Sequence, residues 1–163
     1  MGQEAETGPE HDDGDEELDE RDASLVAPLV LLTQANGSIQ TLADLVKEAK
    51  ARPEGLSYGT PGIGTPHHIS GEMLQKATGI KLTQITYRGT APSVNDLLAG
   101  QIETAIFPPL SLVPHVKAGR LRALAVTSRE RASSLPDTQT VAESGYPGFE
   151  SGSWNGIAVR SGT

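Results

Sequence analysis

The sequence predicts an α/β fold: a mostly parallel sheet with helices on both faces. Three observations predict it. Short apolar, β-rich runs alternate with segments in which apolar residues recur at helical spacing. Glycine or proline stands at nearly every changeover between the two. The 163 residues with 36% hydrophobic content suit one core of Leu, Ile, Val and Ala, too thin to divide between two independent cores.

The elements follow in order. Pro28 to Thr33 is an apolar run that reads as a buried strand. Thr41 precedes Leu42, Leu45, Val46 and Ala49, with Asp44 as its capping partner and Pro53 and Gly55 closing the helix. Leu56 to Gly59 is a second strand, and the turn Gly59-Thr60-Pro61-Gly62-Ile63-Gly64-Thr65 follows it directly. Thr65 is the expected N-cap of the next helix and Pro66 its first residue, where the missing N–H costs little. That helix runs through Ile69, Met73, Leu74 and Ala77 to Gly79, a natural stop. Leu82 to Tyr87 alternates as a strand does, Gly89-Thr90 launches a helix through Val94, Leu97 and Leu98 as far as Gly100, and Ile102 to Phe107 is a further strand. Leu110 to Ala118 is expected to be helical with Pro114 near its start or kinking it, and Leu121 to Thr127 is a strand. Beyond Ser128 the rhythm breaks. A short helix near Val141-Ala142-Glu143, a Gly/Pro-rich loop and a strand from Trp154 to Val159 are expected there. The chain divides accordingly into an acidic, disordered tail (1–24), an α/β ligand-binding lobe (25–130) and a crossover segment (131–163).

The net charge of −8 is unevenly placed. Residues 1–24 hold eleven acids against Arg21 alone, a net of −10, and the remainder is +2. The tail reads as a solvated segment, and the folded part has no basic stripe to suggest nucleic acid. The absence of cysteine rules out disulfides and thiolate metal sites and leaves the redox compartment open. No apolar run approaches the roughly 18 residues that span a bilayer. The N-terminus has no basic-then-apolar pattern, so no export signal is expected in this chain.

The chemistry concentrates in two turns. The three glycines of Gly59 to Gly64 let backbone approach a ligand closely, and the helix after them offers unpaired N–H groups and a positive dipole end to a carboxylate or phosphate. The spacing G-x-x-G-x-G is neither the dinucleotide fingerprint nor the phosphate-binding loop, and no Lys follows Gly64. A tight connector without a ligand is the competing reading. Tyr87-Arg88-Gly89-Thr90 repeats the arrangement after the third strand, and ligands of parallel sheets sit at such strand ends. Arg88 stands there either as a charge-assisted contact to an acid or as an exposed loop arginine. His67 and His68 project about 100° apart on a helix and cannot easily chelate one ion, so no metal site and no cofactor are expected. Ser57, Ser70 and Ser93, with a histidine and Asp96, lack the G-x-S-x-G elbow of a hydrolase, so the chain is not expected to be an enzyme.

Four runs in this order resemble the tripartite tricarboxylate transporter substrate-binding family, the Bug receptors. They are S-Y-G-T-P-G-I-G-T-P-H-H-I-S-G-E (57–72), I-T-Y-R-G-T-A-P-S-V-N-D-L-L-A-G-Q (85–101), P-H-V-K-A-G-R-L-R-A-L-A-V-T-S (114–128) and L-P-D-T-Q-T-V-A-E-S-G-Y-P-G-F-E (135–150). The resemblance covers about 28–163. It implies one lobe of a periplasmic two-lobed receptor that closes over a small organic carboxylate and delivers it to membrane permease subunits. Carried onto this chain, it implies ligand binding by Thr60, Gly62, Ile63, Gly64, Thr65, His68, Arg88, Gly89 and Thr90. Family members are about twice as long, which implies an incomplete receptor here: an excised lobe, a truncated product or one piece of a split protein. Weak binding by the chain alone is then expected. The alternative function is an interaction module that self-associates through an edge exposed at Trp154 to Val159.

Overall fold

In the computed structural model residues 27–153 are described; the acidic segment and the strand expected at Trp154 to Val159 lie outside them. Strand β1 (Val30–Gln34) leads to helix α1 (Leu42–Ala51), followed by β2 (Leu56–Thr60), α2 (Pro66–Thr78), β3 (Leu82–Thr86), α3 (Thr90–Leu98), β4 (Thr104–Phe107), a 3-10 turn (Pro109–Ser111), α4 (Val113–Lys117) and β5 (Leu121–Val126). The five strands form one sheet in the order β3-β2-β4-β1-β5. Strand β2 is parallel to β3 and β4, while β1 runs against both of its neighbours, β4 and β5. Four strands therefore point one way and one points back. An apolar run buried on both faces looks the same in either direction, so periodicity carries no information about this reversal.

Helices cover both faces. Leu42, Leu45, Val46 and Ala49 of α1 and Leu74 of α2 pack with Leu29, Leu31, Tyr58 and Ile106 on one side. Val94 and Leu97 of α3, with Leu112 ahead of α4, pack with Val30, Leu32, Ala105, Phe107 and Val126 on the other. Ala132 and Leu135 join the second cluster, and Val141 and Phe149 the first.

The sequence signals set most boundaries. Thr41 caps α1 in a reciprocal box: its hydroxyl accepts from the Asp44 amide (3.1 Å), and the Asp44 carboxylate accepts from the Thr41 amide (2.9 Å). Gly79 ends α2 at φ 69°. The helix expected from Leu110 is shorter and starts later, because Pro109 and Pro114 each lack an N–H and confine the chain to a 3-10 turn and five residues of α4. The short helix expected near Val141 is instead a run of turns. Ser144 N–H donates to both Thr140 and Val141 carbonyls, and the Thr140 amide donates to Glu143 at 2.7 Å, so the backbone closes after one turn.

At the edge where β2 and β4 begin, Glu103 holds three segments together. Its carboxylate accepts from the Ser57 amide (2.8 Å), from the Ser57 hydroxyl and from Arg52 (2.9 Å). Burial pushes the Glu103 carboxyl up, but the Ser57 hydrogen bonds and Arg52 outweigh it and hold it below its ordinary 4.5. A depressed carboxyl stabilises the fold above its unfolded pKa, and that contribution is lost as pH falls through the lower folded value. Melting temperature should therefore drop more steeply below pH 4.5 in the wild type than in Glu103→Gln, as read by circular dichroism across an acid series. Equal acid slopes would remove this clamp from the pH dependence.

Candidate functional site

Because β2, β3 and β4 are parallel neighbours, the loops after them emerge at one edge of the sheet, and the first two each open a helix there. The chain also arrives and departs there. Ala27 and Ser153 exchange two backbone hydrogen bonds (2.7 and 3.0 Å), next to Thr127, whose hydroxyl meets both Leu29 and Ser151.

The first turn is shaped by glycines at positive φ, Gly62 at 145° and Gly64 at 80°, conformations that L side chains rarely adopt. Thr65 caps α2: its hydroxyl donates to the Gly62 carbonyl (2.7 Å) and accepts from the His68 amide (3.4 Å). His68 turns back on the loop, its Nδ1 accepting from the Gly64 amide at 3.3 Å, while its Nε2 lies 3.7 Å from Glu72. Thr60 is fully buried, and its hydroxyl accepts from the Gln84 amide group (2.6 Å) and the Gly62 N–H (3.2 Å). Its carbonyl accepts from the Tyr87 N–H at 2.8 Å, so Thr60 ties the two turns together from beneath. Ile63 projects outward, 82% exposed.

The second turn is less capped. Gly89 begins α3 at φ 105°, ψ −179°, a region essentially reserved for glycine, and no side chain caps the helix. Pro92 has no N–H, so the free donors of this helix start are the amides of Thr90 and Ala91. Arg88 is exposed beside them. The nine residues expected from the sequence thus share one edge, divided between outward-facing groups and a buried support, Thr60.

Several supporting residues carry no sequence signal. Ser93, fully buried in α3, fits its hydroxyl against Gly59, where a side chain on that residue would collide with it. Tyr87 donates to Asp96 at 2.8 Å, and burial together with that carboxylate pushes its hydroxyl up to about 12. His67 packs its ring on Phe107, the last residue of β4, with centroids 5.5 Å apart. Burial pushes its imidazolium down, so the ring is neutral at neutral pH. Gly71 lets α2 settle onto the Tyr58 ring, and Ser70 of α2 accepts from the Ser151 hydroxyl at 2.8 Å, joining the helix to the departing chain. Apart from Tyr87 with Asp96, each of these is a contact between residues distant in sequence.

Two cavities lie elsewhere. One of about 670 Å³ sits where β1 ends and β5 begins, bordered by Asn36, Gln40, Arg122 and Asp137. Another of about 660 Å³ lies between α2 and the loop of Tyr146 and Phe149. Neither is lined by any of the nine residues. Among the described residues no group of three or more His, Asp or Glu could hold a metal, and no helix is long and apolar enough to cross a membrane.

An α/β lobe that aligns glycine turns and helix starts along one strand edge belongs, by its fold, with the solute-binding proteins. The chain is a member of the family described as tripartite tricarboxylate transporter family receptor, which it matches over residues 17–163. Protein BugT of Bordetella pertussis is 35% identical over 136 residues, covering 83% of this chain and 42% of BugT. A UPF0065 protein encoded in the tcbD–tcbE intergenic region of a Pseudomonas species is 36% identical over 137 residues, covering 83% and 41%. Among solved structures, an R. palustris protein with adipate superposes with a TM-score of 0.74 at 35% identity, over 79% of this chain and 43% of that one. The chain spans about two fifths of the length of the curated relatives it matches. The family is one of transport receptors rather than enzymes, which agrees with the reading against catalysis.

Proposed function

We propose that residues 27–153 form one wall of a cleft that holds a small organic carboxylate, in a periplasmic receptor serving the permease subunits of a tripartite tricarboxylate transporter. The observation that carries this reading is the pairing of two positive-φ glycine turns with two helix starts on one edge, the second without a side-chain cap. The amides of Ile63, His67, Thr90 and Ala91 would meet the anion, with the helix ends adding a favourable dipole. Arg88 would supply the positive charge, while Thr60, Thr65 and His68 hold the turns in shape. In this reading the lobe proper runs to residue 130, and 131–153 lead away from it toward a facing wall. The side-by-side arrival and departure at Ala27 and Ser153, on the edge that bears the turns, supports that arrangement.

The test is titration of the 163-residue chain with a panel of dicarboxylates, by calorimetry and amide NMR. Saturable binding weaker than micromolar is expected, with the largest shifts at Ile63 to Thr65 and Arg88 to Ala91, because a single wall leaves half the ligand in water. Micromolar affinity would overturn the one-wall reading. Unmoved amides in both turns would overturn the carboxylate site itself.

A further inference from the structure

The two edge strands of the sheet, β3 and β5, are finished differently. At β5 the Val126 N–H donates to the Gln139 carbonyl and the Val141 N–H to the Val126 carbonyl, both at 2.9 Å, so a later segment covers the end of the strand. Arg122 stands exposed on the rest of it, and a register shift between Leu31 and Leu32 disturbs the ladder beside it. Charge, bulge and cover are devices that keep a sheet edge from pairing with another chain. Strand β3 has few of them. Lys81 precedes it, but Leu82-Thr83-Gln84-Ile85-Thr86 itself carries no charge and no proline. Thr83, Ile85 and Thr86 are exposed, Ile85 at 37% despite its size.

The hydrogen bonds tell which backbone groups face outward. The Leu56 N–H donates to the Lys81 carbonyl, and the Tyr87 N–H to the Thr60 carbonyl. Alternate residues of a parallel strand bond to the same neighbour, so 81, 83, 85 and 87 turn to β2, and Leu82, Gln84 and Thr86 turn away from it. The Leu82 N–H is taken by the Gln75 side chain at 2.8 Å. Among the described residues the amides of Gln84 and Thr86 and the carbonyls of Leu82, Gln84 and Thr86 have no such partner.

We propose that this edge pairs with the same edge of a second copy of the chain, antiparallel and with Gln84 on the two-fold axis. The strand is self-complementary in that register. The two Gln84 residues exchange both backbone hydrogen bonds, and each Thr86 N–H reaches the second copy's Leu82 carbonyl, an acceptor that the Gln75 cap leaves free. Ile85 lies opposite the second copy's Thr83 in both halves, a close pair of β-branched side chains. These pairs lie on the α3 face, since Gly59, the β2 partner of Ile85, meets Ser93 there. The uncharged strand offers a foreign partner no charge to recognise, whereas an identical strand matches every outward group by symmetry. The arrangement also sends the glycine turns of the two copies to opposite ends of the joined sheet. It therefore neither needs nor blocks the ligand edge.

The experiment is sedimentation equilibrium of the full chain from about 10 μM to about 1 mM, with amide exchange followed by NMR at both ends of the range. A 17.1 kDa monomer in equilibrium with its dimer is expected. Its dissociation constant should be on the order of 100 μM, because a five-residue strand makes a small interface. The Gln84 and Thr86 amides should exchange more slowly in the dimer than in the monomer. Ile85→Lys should raise the dissociation constant about ten-fold or more, since the change counts at two crossings. Adding Thr83→Glu to it sets opposite charges across each crossing and should return the constant to within about three-fold of the wild type, a recovery that a misfolded chain could not show. A monomer throughout the range, a dimer that Ile85→Lys leaves intact, or a double variant no better than the single one would each overturn the inference. Gln84 and Thr86 amides equally protected at the lowest concentration would assign the edge to another segment of the same chain and overturn it too.

Discussion

Gly71→Ala is expected to lower the stability of the chain by about 2 kcal/mol in urea denaturation, the usual scale of overpacking a closed core. The direction is opposite to what the residue's position suggests. Gly71 lies inside α2, and alanine in an open helical site would add up to about 1 kcal/mol. Here, however, a methyl group would stand 2.5 Å from Tyr58 Cε2 and 2.8 Å from its Cζ and hydroxyl oxygen. Tyr58 is fully buried in β2, between residues paired to β3 and β4, so its ring has nowhere to withdraw. Tyr58→Leu in the Gly71→Ala background should recover part of the loss, giving a coupling the single variants do not predict. A Gly71→Ala chain as stable as the wild type would show that α2 does not rest on Tyr58 as described.

The second large effect is on binding. Gly89→Ala places a side chain at φ 105°, ψ −179°, where only glycine is at ease, at a strain of about 1–3 kcal/mol. Nothing lies within 4 Å of the added methyl, so the cost is conformational and not steric. The turn should relieve it by rotating, which redirects the Thr90 and Ala91 amides. Carboxylate affinity in the NMR titration should fall about ten-fold or more, while the amides of Ile63 to Thr65 keep their positions in the ligand-free spectrum. A variant that binds as the wild type does would separate the α3 start from the site.

Much of this architecture was legible in the sequence because its signals are local. Thr41 with Asp44, Thr65 with Pro66, and Gly79 state helix boundaries through hydrogen bonds made within four residues. The two glycine turns were legible for the same reason, since a positive φ is a property of one residue. The reversal of β1 was not legible, because its buried run Val30 to Leu32 has no polar face to mark direction. Nor were the turns at Val141, where a cap-like Thr140–Glu143 pair closes one turn that the following Gly145 and Pro147 do not extend into a helix. The site's supports, Ser93 under Gly59, His67 on Phe107 and Ser70 on Ser151, are long-range pairings that only the folded chain creates. Sequence therefore pointed to the loops, and the structure adds what stands beneath them.

The two hydrogen bonds between Ala27 and Ser153 have a consequence for how such a lobe can be handled. Residues 27–153 make a closed excursion: the backbone comes back to the point it left. A segment with joined feet can be spliced into a host chain at one position without stretching either side. Whatever the two glycine turns display would then travel with the segment as a cassette, moved between hosts by two cuts at a single place.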